Sequence, residues 1–346
     1  MLLFHNDYNA MCHPAVLDNM LKYRQDNFDG YGMDECCTRA ANKIRSLCDN
    51  SDLSVHFLVG GTQTNLTVID AALRPHQAAV GAVSAHINVH ETGAVEATGH
   101  KVIGLPSEDG KITAQQIENL VVDHRQDASF EHIAQPKLVY LSNSTELGTI
   151  YSLAELEAIS AVCKKYGLFL FVDGARLGYA LAATDNDVTL ADLARLCDVF
   201  YIGGTKVGAM IGEAVVISNP SVAEDFRYII KQHGAMLAKG WLLGLQFDAL
   251  MSDNLYLDIA RHADAMADRI RDTLKTLGYP LYVPGTTNQI FAVLPDDLLA
   301  KLSKEFTFSE QARVNENHRA VRFCTSWATK TEEVDALCNA LVALSK

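Results

Sequence analysis

The sequence predicts a layered α/β protein in which a mainly parallel sheet is covered on both faces by helices and a smaller α+β unit follows. Between residues 54 and 217 seven strand-like apolar runs (SVHFLV, AAVGAVS, KVIGL, KLVYLS, LFLFVD, DVFYIG and EAVVIS) alternate with helix-like stretches, which is the pattern of crossover connections. After Pro220 the composition turns helical, and two further strand-like runs follow, QIFAVL and RAVRFCT. A chain of 346 residues that is 49 % apolar can bury one large core with a smaller appendage.

In chain order, the first two helices are expected over residues 14–25 and 34–47. Pro14 stands at a starting position, where a missing N–H costs little. The glycine-bearing polar segment DNFDGYGMDE between them reads as a loop. Within the sheet region helices are expected over residues 62–73, 114–122 and 152–166, the last opened by Ser152 and Glu155 at capping-box spacing. Beyond Pro220 the pattern predicts helices over residues 221–231 and 237–251, then a long amphipathic one over 255–277. Helices over residues 296–304 and 331–344 accompany the last two strands. The composition change places a boundary near residues 240–253, giving a first domain of 1–245 with an N-terminal arm and a second of 246–346. No internal repeat or low-complexity segment interrupts this order.

Charge and cysteine usage narrow the function. A net charge of −13 repels phosphate backbones and anionic lipid, so nucleic-acid and membrane partners are unsupported and a small-molecule task fits better. The start MLLFHNDYNAMCHP is too short and too polar for a secretory core, and no run approaches a membrane span. Eight cysteines without a C-x-x-C pair are expected to be reduced thiols, consistent with a cytoplasmic address. No P-loop or nucleophile elbow is present, and Gly30-Tyr31-Gly32 follows no expected strand. His86 and His90 are followed by Glu91 in the order H-x-x-x-H-E rather than H-E-x-x-H, so no metal site is expected.

Two segments carry the chemistry. FLFVDGAR ends an apolar strand in a carboxylate, Asp173, and VFYIGGTKVG delivers Lys206 inside a glycine-rich loop with apolar flanks. Alone, Asp173 would read as a helix cap and Lys206 as a surface lysine. Together they suit pyridoxal 5′-phosphate, which needs an amine to condense with its aldehyde and an anion to keep its ring nitrogen protonated. In FLVGGTQTN, the turn of Gly60, Gly61, Thr62 and Gln63 between a strand and a helix offers free N–H groups to a phosphate. An imidazole from His86 or His90 suits ring stacking or proton movement. Arg176 and Arg322 are fitted to a carboxylate by their planar guanidinium groups.

HNDYNAMCHPAVLDNM, GYGMDE, GGTQTN, AHINVHETG, VDGAR, the GGTK lysine and VRFCT occur in order along nearly the full chain. On these segments the chain resembles the low-specificity L-threonine aldolases, within the pyridoxal phosphate β-eliminating lyase family of fold type I. The resemblance implies an aspartate aminotransferase-like large domain and a small C-terminal one. It also implies Lys206 as the cofactor-bearing amine, Asp173 at the ring nitrogen, Gly61 and Thr62 on the phosphate, and His86 stacked on the ring. Asn6, Arg176 and Arg322 would grip the substrate carboxylate, and Tyr31 would reach in from a neighbouring subunit of a homotetramer built from dimers.

The implied activity is cleavage of L-threonine, L-allo-threonine or a related L-β-hydroxy-α-amino acid to glycine and an aldehyde. Two departures stand out. Better-known members have serine where Asn6 stands, and a second histidine where SNSTELGT carries Thr145 and Glu146. The acceptor of the hydroxyl proton is therefore open between His90, Glu146 and a water held by His86. β-Elimination or transamination on the same cofactor, and a catalytically silent oligomeric scaffold, are the alternative readings.

Overall fold

Seven strands form the central sheet of the computed structural model, which describes residues 1–345. They are β1 (Ser54–Leu58), β2 (Gln77–Ala82), β3 (Lys101–Leu105), β4 (Gln135–Ser142), β5 (Phe169–Asp173), β6 (Val199–Gly203) and β7 (Glu213–Ile217). Their spatial order is β1-β7-β6-β5-β4-β2-β3. Only β7 runs against its neighbours. The C-terminal ends of the six co-directional strands therefore share one edge of the sheet with the start of β7. Every residue of β6 and β7 is buried, which is why these strands read as unbroken apolar runs rather than alternating ones.

The helices relevant to the site are α1 (Pro14–Lys22), α2 (Glu35–Leu47), α3 (Gly61–Ala72), α4 (His86–Val89), α5 (Leu153–Tyr166), α6 (Leu177–Ala182), α7 (Trp241–Leu250), α8 (Leu255–Thr276) and α9 (Thr331–Leu344). The capping box expected at α5 forms: Glu155 N donates to Ser152 Oγ at 3.3 Å and Ser152 N donates to Glu155 Oε2 at 2.8 Å. The helix expected over residues 221–231 is instead two, Pro220–Ala223 and Phe226–Gln232, because Asp225 adopts a left-handed φ of 57° between them and a left-handed residue ends a right-handed helix.

A second sheet is antiparallel throughout. It orders β10 (Ser309–Asn315), β11 (His318–Cys324), β9 (Gln289–Pro295) and β8 (Leu281–Val283). β10 was not anticipated, since its residues SEQARVN are mostly exposed at the sheet edge and carry no apolar face. α8 crosses between two hydrophobic cores: Tyr256, Ile259, Ala260 and Ala263 join the first, and Met266, Ala267, Ile270 and Leu274 join the second. Residue 245, the expected end of the first domain, lies inside α7. At the N-terminus, Leu2 and Leu3 pair in parallel with Phe306 and Thr307, and Phe4 is buried in the second core.

From there the arm crosses to the large sheet. Buried Asp7 accepts from Arg176 Nε at 2.7 Å and Nη2 at 3.0 Å, and from Asn288 Nδ2 at 2.9 Å. One carboxylate so joins the N-terminal arm, the start of α6 and the second unit. Burial on its own would raise the Asp7 pKa, but the Arg176 guanidinium and the Lys206 ammonium hold it at about 2, below the usual 3.8. The resulting stability is complete above pH 3.8 and is lost as pH falls toward 2; the shift corresponds to about 2 kcal/mol. Asp7→Asn leaves Arg176 buried without its counter-charge and is expected to cost about 3–5 kcal/mol, read as a lowered denaturation midpoint at pH 7 whose dependence on acid in this window is weaker than the parent's.

Candidate active site

The sheet edge gathers the functional side chains. Asp173 is the last residue of β5, and β4 and β6 flank it on either side. Tyr140 on β4 donates to Asp173 Oδ2. Tyr201 on β6 donates to Oδ1 at 2.5 Å, Ala175 N donates to Oδ1 at 2.9 Å, and Asn65 Nδ2 of α3 donates to Oδ2 at 2.9 Å. Burial acts to raise the Asp173 pKa, but the two phenols, the Ala175 amide and the charge of His86 outweigh it and the net shift is downward. Burial and the neighbouring carboxylate push both phenols far above their usual range, so they stay donors. The result is a fixed anion in a dry site. Gly174 is required by the close approach of the following turn to β6, where an added Cβ would stand 1.7 Å from Tyr201 O.

Lys206 lies half-buried in the loop from β6 to β7. Gly204 N and Thr205 N donate to Gly212 O at 3.0 and 3.1 Å, and Gly212 N donates to Thr205 Oγ1 at 3.0 Å. Tyr179 Oη donates to the Lys206 carbonyl at 2.6 Å. These bonds fix the lysine's backbone while, among the described residues, Nζ has no hydrogen-bond partner. Below the loop, Glu213 accepts from Gly204 N at 2.9 Å, and burial pushes its carboxyl up to about 7. The Lys206 charge acts on both Glu213 and Asp7, so the amine stands between the sheet edge and the arm.

α3 begins immediately after β1 with Gly60 as a cap that has no side chain to occupy the first-turn N–H groups, and Thr64 N is already paired with Gly60 O. An added Cβ on Gly60 would meet no atom within 4 Å, and one on Gly61 would lie 3.2 Å from Tyr201 Oη. Gly61 and Thr62 thus present free amides and the positive helix end toward open space beside the Asp173 cluster.

His86 opens α4. Its Nδ1 lies 2.7 Å from Glu91 Oε1, and its side chain is 27 % exposed. Burial acts to lower its pKa, yet Glu91, Glu146 and Asp173 together raise it above the usual 6.5. His90 caps the other end of α4, with its ring 5.6 Å from that of His86, and is exposed. Arg322 on β11 donates through Nη2 to His5 O at 3.0 Å, while its buried Nε has no partner among the described residues. Asn6 stands next to Asp7, its Oδ1 accepting from Tyr8 N at 3.0 Å.

The structure adds detail to two sequence expectations. Nε and Nη2 of Arg176, the bidentate face expected to meet a substrate carboxylate, are engaged by Asp7, which leaves Nη1 as the uncommitted edge. Tyr31 is away from this cluster in its own chain: it is 47 % exposed, packs beneath Lys231 at 5.0 Å and receives a bond at its carbonyl from Arg227 at 3.1 Å. Sequence reasoning did not assign Asn65, Tyr140, Tyr201 or Asp7. The two tyrosines were the available signal, because a phenol inside an apolar strand must find a buried partner.

Residues 4–297 match the family model for β-eliminating lyases. The chain belongs to the β-eliminating lyase family. It is 31 % identical over 339 residues to the low specificity L-threonine aldolase of Pseudomonas aeruginosa, covering 96 % of this chain and 94 % of that one. The structure of Leishmania major threonine aldolase superposes with a TM-score of 0.97 at 45 % identity, over 100 % of both chains. Aspartate aminotransferase of Thermus thermophilus, at 14 % identity, shares the fold with a TM-score of 0.74 over 99 % of this chain and 91 % of that one.

This family member is a pyridoxal 5′-phosphate-dependent lyase, and its residues fit that cofactor. A glycine-capped helix start, an anion held by fixed donors and a lysine amine without a partner stand along the same edge. If Asp173 faces the ring nitrogen, weakening its donors weakens the hold on the cofactor. The double variant Tyr140→Phe, Tyr201→Phe is expected to bind pyridoxal phosphate at least about tenfold more weakly, as measured by absorbance titration. Unchanged affinity would separate Asp173 from the ring.

Proposed function

We propose that this chain cleaves L-threonine, L-allo-threonine and related L-β-hydroxy-α-amino acids to glycine and an aldehyde. The observation that carries the reading is the presence, along one edge of the sheet, of a lysine amine without a hydrogen-bond partner among the described residues and of a buried aspartate kept anionic by fixed donors. Pyridoxal phosphate, when bound, supplies an electron sink for the Cα–Cβ bond. Lys206 is the residue that would hold the cofactor, through its amine. Asp173, held as an anion, would serve the ring nitrogen, where a neutral partner would make a poorer sink. Gly61 and Thr62 anchor the phosphate.

The substrate carboxylate is met by Arg322, whose buried Nε lacks a partner, with Asn6 and the free Nη1 edge of Arg176 beside it. Fixing the carboxylate at one end and the amine at the other would orient the substrate, and orientation selects which Cα bond is cleaved. The β-hydroxyl proton needs an acceptor. The electrostatic coupling of His86 and Glu146 supports that pair in the task, and His90, whose ring lies 5.6 Å from that of His86, is the alternative.

Tyr31 serves the site of a second copy, consistent with its 47 % exposure and its distance from the cluster in its own chain. A homotetramer built from dimers with shared sites is part of this reading, and the exposure of Tyr31 supports it. A cytoplasmic address is supported by eight free cysteines.

Purified protein incubated with the four threonine stereoisomers and phenylserine is expected to release glycine and the matching aldehyde from the L-isomers alone. Release of pyruvate from serine or cysteine without glycine from threonine would replace this reading with β-elimination. Lys206→Ala is expected to lower the rate by about 10³-fold or more and to lose the borohydride-reducible link to cofactor. Arg322→Gln removes a charge-assisted contact worth about 1.5–3 kcal/mol, so its KM should rise roughly 10- to 100-fold, against a smaller change in kcat.

A further inference from the structure

Two buried side chains, Asn65 and Glu91, are unused by the reading above. Asn65 Nδ2 donates to Glu91 Oε1 at 2.7 Å as well as to Asp173 Oδ2 at 2.9 Å. Glu91 Oε1 also meets His86 Nδ1 at 2.7 Å. Asn65, Glu91 and Asp173 are all buried. The polarity of this chain of contacts follows from what each group can donate. The two hydrogens of Asn65 Nδ2 serve two carboxylates, and turning the amide over would aim its oxygen at both. Glu91 Oε1, already accepting from Asn65, needs a donor on its other side, so the proton of His86 belongs on Nδ1. That leaves Nε2 as the basic nitrogen, and among the described residues it has no hydrogen-bond partner.

We propose that Glu91 and Asn65 are positioning residues for proton transfer: Glu91 fixes His86 with its proton on Nδ1 and its lone pair on Nε2, and Asn65 ties that pair to Asp173. The inference deepens the reading of this site as a threonine-cleaving one and rests on it for its consequence, but the geometry is a property of the folded chain. Glu91 Oε2 and Asn65 Oδ1 are buried without partners. Those open valences are not explained by packing alone, because each desolvated polar atom costs about 1–3 kcal/mol. What the arrangement achieves is one imidazole presented in one tautomer, with its basicity raised. The charged and titratable groups facing His86 are Glu91 from the segment after α4, Glu146 from the segment after β4, Asp173 from β5, and His90 one turn along.

The test is nitrogen-15 NMR of the histidine rings in the full-length, cofactor-loaded protein, alongside pH profiles of kcat and KM. In the parent protein His86 should be the Nδ1–H tautomer when neutral and should titrate above 6.5. Glu91→Gln, close in shape, is expected to lower that midpoint by about one pH unit, to move the acidic limb of kcat by the same amount and to leave KM nearly unchanged. Glu91→Asp, which retains the charge, should restore part of the shift.

Asn65→Asp replaces both donated hydrogens and should displace the His86 midpoint and the pH titration of the bound cofactor's absorbance together. An Nε2–H tautomer in the parent, or an unmoved His86 midpoint in a folded Glu91→Gln protein, would overturn the role of Glu91. Movement of only one titration in Asn65→Asp would overturn the tie. If the parent protein fails to release glycine, the functional reading falls while these ring measurements still stand on their own.

Discussion

A carboxylate in a dry site is the constraint on which the rest of this structure depends. Asp173 carries its charge away from water, where an unpaired ion would cost several kcal/mol, and it persists because four donors converge on it. Two are phenols from the strands on either side of β5. Tyr140 pairs across with Phe171 and Val199 pairs with Phe171 from the other side, so Tyr140, Tyr201 and Asp173 fall on one face by the period-two geometry of strands. The strand order β6-β5-β4 is thus also the assembly of an anion site. A slip of one residue in either pairing would turn a phenol away and leave the charge bare.

The same edge explains why the remaining parts converge. Six strands run in one direction, so the segments that follow β1, β2, β4, β5 and β6 emerge together: Gly61, His86, Glu146, Asp173 and Lys206 in turn. β7, the one reversed strand, brings Glu213 back to this edge beneath the lysine loop. Large domain and small unit then meet through Asp7, whose buried ion pair with Arg176 and bond from Asn288 lock the N-terminal arm across the site. That pairing takes over the arginine edge best shaped for a carboxylate and leaves Arg322, with its orphaned Nε, as the stronger candidate for an incoming one.

Much of the fold is legible in the chain because its signals are local. The β5 and β6 runs are apolar throughout and end in glycine-containing turns, Ser152 and Glu155 announce α5, and α9 spans residues 331–344 as its pattern predicts. Where local signals fail, the reason is physical. β10 lies at an exposed edge and keeps no apolar face, and Asp225 breaks a helical stretch by a backbone angle that no residue type announces. Within the site, Asp173 and Lys206 declare themselves by standing as charges inside apolar surroundings, whereas Asn65 and Glu91 look like ordinary polar residues of a helix and a loop.

By itself the sequence determined the layered α/β class and pointed to the cofactor, since both rest on residue types at short spacings: a carboxylate closing a strand, a lysine in a glycine loop, two glycines before a helix; the family came from the resemblance of segments spread along nearly the full chain. Only the tertiary structure decided how those groups are wired. Asp7 and Arg176 are separated by most of the large domain in sequence, and Asn65 reaches Asp173 from another layer. Which nitrogen of His86 holds a proton, and which edge of Arg176 is free, depend on hydrogen bonds between segments distant along the chain, and such bonds exist only once packing has brought the segments together.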